Sequence, residues 1–117
     1  MTTVLPARLR APVLGRAAAV LALASAAVHL VLAASGDVSA VAMAGMALVC
    51  VPCAMHLWRA PTASVWGLTA LVDLGMLALH APVVAGHGMH HGAGAGHVAL
   101  GLVAAQLVLA AVALLRR

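Results

Sequence analysis

Four stretches of mostly apolar residues, each about 20 long, follow one another with very little between them, and about 20 residues is what an α-helix needs to cross the hydrocarbon of a bilayer. They fall at roughly 17–35 (AAAVLALASAAVHLVLAAS), 38–58 (VSAVAMAGMALVCVPCAMHLW), 62–84 (TASVWGLTALVDLGMLALHAPVV) and 97–115. Composition bears on whether these are buried helices of a soluble domain. The chain of 117 residues is 66% hydrophobic and 7% charged, against about 45–50% and about 25% for ordinary soluble domains. So few charges cannot cover the surface of a water-soluble protein this size. The expected fold is therefore all-α, an integral membrane four-helix bundle occupying residues 1–117 as a single four-span domain. Ala and Gly, with Gly45, Gly67, Gly75 and Gly101 among them, are expected to let the helices approach closely.

The joints between spans are Gly36-Asp37, Arg59-Ala60-Pro61 and the stretch GHGMHHGAGAGH at 86–97. Every cation falls on one side of this scheme: Arg8, Arg10 and Arg16 precede the first span, Arg59 lies between the second and third, and Arg116 and Arg117 end the chain. Cationic flanks stay in the cytoplasm. Both termini are thus expected to be cytoplasmic in a multi-pass protein of the plasma membrane, with the 86–97 loop external. Arginines, an apolar run and Ala-Leu-Ala-Ser-Ala also resemble a cleavable secretory signal. Because the run stays apolar beyond that point, an uncleaved first helix is the expectation.

Ionisable side chains inside a bilayer are costly, and they concentrate at functional sites. His29 lies six residues before the end of the first span, roughly 9 Å below the outer boundary. His80 lies near the outer end of the third span, and His97 begins the fourth. Above them the loop carries His87, Met89, His90 and His91, so five of the seven histidines fall between residues 80 and 97. On the second span Met43, Met46, Cys50 and Cys53 fall within about 80° of one another. On the third, Thr69, Asp73, Met76 and His80 form another stripe, with Trp66 at its cytoplasmic end. Asp73 is either neutral or paired with Gln106 at similar depth in the fourth span.

Thioether and thiolate ligands select Cu(I), while imidazole suits copper, zinc, nickel and iron. The chain therefore reads as binding, and delivering or passing, a copper-like transition-metal ion through its external His/Met loop and the histidines, methionines and cysteines beneath it. Plainer readings stand beside this one. Met at helical spacing packs well, a buried Cys behaves as a small hydrophobe, and the glycines of the loop suit a flexible linker. One alternative is a structural or assembly subunit of a larger membrane complex. Another is a small b-type cytochrome in which His29 and His80 are axial ligands of haem b; against it, no Phe or Tyr is present to line a porphyrin slot.

No nucleophile–base pair or phosphate loop is evident, so no enzyme is expected. The arginines sit at membrane borders without aromatic interleaving, which excludes a nucleic-acid surface. A proton-coupled exporter of four short spans would need an acid in the first span, and none is there. The expected partners are the lipid bilayer and a homo-oligomer or larger membrane complex. His29 in the first span, MAGMALVCVP in the second and DLGMLALHAP in the third together resemble small polytopic membrane proteins of unknown function from high-GC actinobacteria. The likeness covers about half the chain. It implies a multi-span membrane protein of a group sometimes suspected of metal handling, and it carries over no catalytic residue.

Overall fold

A computed structural model describes residues 7–34, 36, 38–85 and 93–117, and the side chains of most of these. It is all-helical: α1 (Ala7–Ala33), α2 (Val38–Arg59), α3 (Ala63–Ala85) and α4 (Ala93–Leu115). Each of the four contains a segment long and apolar enough to cross a membrane. The particle measures 48 × 28 × 20 Å, so its long axis exceeds a hydrocarbon core of about 30 Å.

Two boundaries differ from expectation. Helix α1 begins at Ala7 and runs through Pro12, about ten residues earlier than the apolar run alone predicts. Ala, Leu and Arg are strong helix formers, so the helix continues into the arginine-bearing segment where hydropathy has already fallen. A proline this close to the start removes only one backbone bond. Helix α4 begins at Ala93, so residues 93–97, read as the end of a loop, are helical, and His97 lies in the second turn.

Helix α1 packs along α2 and along α4, α4 packs on α3, and α2 and α3 touch over a shorter stretch. The helices thus form a ring in which α1 and α3 stand diagonally opposite. On α1 the buried face is Gly15, Ala18, Ala19, Ala22, Ser25, Ala26 and His29, a stripe of small residues at spacings of three and four ending in an imidazole. Gly15 is where the backbones come closest. A Cβ there would lie 2.6 Å from the Leu57 carbonyl oxygen and 2.9 Å from Pro61, so only glycine fits without moving a helix. The four glycines expected to serve this purpose do not: Gly45, Gly67, Gly75 and Gly101 are exposed, with nothing within 4 Å of a built Cβ. Small residues do bring the helices together, but they are those of α1.

The interior is Ala-rich. Ala18, Ala19, Ala22, Ala54, Leu57, Trp66, Ala110 and Ala113 form one cluster, and Ala26, Ala47, Cys50, Met76 and Val103 form a second. The large aliphatic residues point outward instead, Val31 at 68% exposure, Val41 at 78% and Leu48 at 74% among them. This is the reverse of a water-soluble bundle, with small and polar groups inside and a hydrocarbon surface outside. Arg10, Arg116 and Arg117 gather at one end, where Arg117 donates to the Pro61 carbonyl. At that end Arg16 stacks 5.4 Å from the Trp58 ring centre, and Arg59 closes α2. The one-sided placement of the arginines in sequence is thus one-ended in space.

Candidate metal centre

His29 and His80 meet across the bundle diagonal. Their ring centroids are 5.2 Å apart and their planes nearly perpendicular, at 85°. His29 is 0% exposed and His80 6%. Each lies about one turn from the end of its helix away from the arginines, four residues before Ala33 and five before Ala85.

The protonation pattern follows from the helices themselves. His29 Nδ1 lies 2.7 Å from the Ser25 carbonyl oxygen, and His80 Nδ1 lies 2.8 Å from the Met76 carbonyl oxygen. A carbonyl can only accept, so in each ring Nδ1 carries the hydrogen and donates it. In the neutral imidazole that leaves Nε2 with a bare lone pair. Both Nε2 atoms are buried and have no hydrogen-bond partner. Metal-ligating histidines commonly show this arrangement, with one ring N–H fixed on a backbone carbonyl and the other nitrogen turned to the ion. The Ser25 hydroxyl, 3.4 Å from His29 Nδ1, adds a second polar group on the same turn.

The ring separation bears on which group fits. With metal–nitrogen bonds of about 2.0–2.1 Å, each ring centre stands about 3.2 Å from a shared ion, and linear ligation places the centres about 6 Å apart. The observed 5.2 Å is shorter, which would require a bent rather than linear arrangement at any shared ion. Axial ligands of one haem lie on opposite faces of the macrocycle, and an edge-to-face contact at this distance leaves no slot for it. The pair suits a small ion held at a bend.

Beneath the pair the interior stays polar. Thr69, Asp73, Met76 and His80 of α3 are all buried on one face, as their spacing predicts, and Gln106 of α4 is buried as well. Asp73 Oδ2 and Thr69 Oγ1 have no hydrogen-bond partner. The Asp73–Gln106 pairing considered from sequence is therefore not made at Oδ2. On α2, Cys50 and Cys53 are buried free thiols, Cys50 beside Ser25 and Cys53 beside Thr69, with Asp73 within electrostatic reach of both. Met46 packs on the cluster that contains Cys50 and Met76, and Met43 is half-buried one turn earlier.

His97 is exposed on α4, because it lies on the face opposite the buried stripe of Ala99, Val103 and Gln106. His87, Met89, His90 and His91 lie outside the described residues. Among the described residues no group of three His, Cys, Asp or Glu side chains is arranged to hold an ion; His29 and His80 are the two imidazoles brought together. Sequence reading missed Ser25, whose carbonyl orients His29; its place four residues before a histidine on a small-residue stripe was the available signal. Comparisons with protein-family models, with curated proteins and with solved structures give no match.

Proposed function

We propose that the chain is a membrane protein that spans the bilayer four times, with both termini in the cytoplasm, and binds a copper-like transition-metal ion toward its outer face. The observation that carries this is the pair of buried Nε2 lone pairs on His29 and His80, each preset by an Nδ1–carbonyl bond and each without a partner. A buried acceptor left unpaired costs about 1–3 kcal/mol. Two such acceptors on neighbouring rings are accounted for by an ion that accepts both lone pairs. The ligand set supports a soft ion, since imidazoles and the nearby Met76 and Cys50 sulfurs suit Cu(I) better than a hard cation. His87, Met89, His90 and His91, from the segment joining α3 to α4, complete the coordination and take the ion from outside. The polar face of Asp73, Thr69, Cys50 and Cys53 gives it a way inward. The outward-facing hydrocarbon and the gathered arginines support the membrane orientation.

The test is Cu(I) affinity measured by competition with a chelator on protein purified in detergent. Wild type binds one ion tightly. Because even outer-shell changes at metal sites cost about 10–100-fold, His29→Gln with His80→Gln should cost at least about 100-fold. His87→Gln, His90→Gln and His91→Gln together slow loading and weaken binding less. Neutral imidazole is the ligand form, so the share of binding due to His87, His90 and His91 should fall as pH drops from 7.5 to 5. Equal affinity in the double variant, with the helical circular-dichroism signal retained, refutes the proposal.

A further inference from the structure

At the arginine end, remote from the histidines, α1, α3 and α4 surround a cavity of about 480 Å³. Its rim is Arg10, Arg116 and Arg117, and its walls are Leu14, Trp66 and Ala113. The volume falls in the range of about 300–1,000 Å³ typical of small-molecule sites, well beyond what one tetrahedral oxyanion fills. No lining side chain is acidic. Asp73, the only carboxylate among the described side chains, lies about two turns along α3 from Trp66.

Three guanidiniums around one space form a site for a phosphate, because the planar fork of arginine matches phosphate oxygens two at a time. The apolar walls call for a ligand with hydrocarbon attached. On the α1 side the rim leads to Val13, 52% exposed, and on the α4 side to Leu115, 87% exposed, so the mouth opens onto the same surface that faces acyl chains. Basic pockets between spanning helices on the cytoplasmic side take anionic lipid head groups.

We infer that this cavity binds the phosphodiester head group of an anionic glycerophospholipid of the inner leaflet, with its acyl chains along α1 and α4. The inference rests on the spanning orientation proposed above but not on the metal centre. Bound here, the lipid ties the first and last helices together.

The test is native mass spectrometry of the full chain in a neutral detergent with phosphatidylglycerol or phosphatidylcholine added. Wild type should retain one phosphatidylglycerol in preference to phosphatidylcholine. At about 1 kcal/mol per arginine, Arg116→Gln should lose about 5-fold in retention and Arg10→Gln with Arg116→Gln about 25-fold. Arg59→Gln, outside the cavity, should retain lipid as wild type does. Arg116 is exposed, so its single variant reports even where the double variant folds poorly. Unchanged retention in Arg116→Gln, or an equal loss in Arg59→Gln, overturns the site. Displacement of the lipid by millimolar inorganic phosphate would identify a free phosphate ligand and overturn the lipid assignment. Copper affinity unaltered in Arg116→Gln keeps the two proposals separate.

Discussion

The two interior imidazoles use their Nδ1 protons on carbonyls of their own helices, and each leaves a buried acceptor without a partner. For a purely structural pair this is a poor arrangement, since an apolar residue of similar size fills the space without an orphaned acceptor. His80→Leu should therefore stabilise the metal-free bundle, by about 1 kcal/mol once some repacking cost is set against the roughly 1–3 kcal/mol of the unpaired group. Thermal unfolding of the metal-free protein checks this: the midpoint rises in the variant, while only wild type gains further on adding copper. Wild type gains about 2.7 kcal/mol at a free-ion concentration 100 times Kd. A lower midpoint in His80→Leu would show that the imidazole holds the fold together by its own packing. Asp73 presents a similar case about two turns deeper on the same stripe, a carboxyl with one oxygen unpartnered beside two thiols, and it is the natural next position to vary.

Among the elements, α1 organises the rest through a face of glycine, alanine and serine. In a bilayer, association gains little from hydrophobic burial, and close van der Waals packing takes its place. Gly15→Ala sets a helix-propensity gain of up to about 1 kcal/mol against overpacking of about 1–3 kcal/mol. The obstructing atoms are the Leu57 backbone oxygen and the Pro61 ring, which cannot swing aside, so the variant should be destabilised. Gly75→Ala faces open space and should be neutral or slightly stabilised. Chemical unfolding in detergent compares them, and equal behaviour would mean that the α1–α2 crossing is looser than described. These contacts also mark the limit of what the sequence makes legible. Apolar run length gives four helices and places the stripes of α2 and α3 correctly, because burial follows helical periodicity. It cannot say which glycines meet a neighbour, because that depends on how α1 lies on α2. Nor can it place the starts of α1 and α4, where helix propensity outlasts hydropathy. His29 and His80 are legible as a pair by depth. Their approach across the diagonal and the carbonyl bonds that fix their tautomers are not, since both require the folded ring of helices.

Over the whole molecule, the described arginines and the His29–His80 pair lie toward opposite ends of an elongated bundle whose outer surface is hydrocarbon, with His56 beside Arg59 at the arginine end. Reporter fusions after Arg117 and within residues 86–92 should give opposite compartments, the terminus cytoplasmic and the loop external; a shared compartment contradicts four spans. The two proposals use this polarity, an ion entry at one end and a lipid contact at the other. X-ray absorption at the copper edge of the Cu(I)-loaded protein addresses the histidine centre itself. Two imidazole nitrogens at about 2.0 Å, with their outer-ring scattering, are expected in wild type, and that signature should be lost in His29→Leu with His80→Leu. A copper spectrum without imidazole scattering, or one identical in wild type and the double variant, would contradict ligation by these two residues.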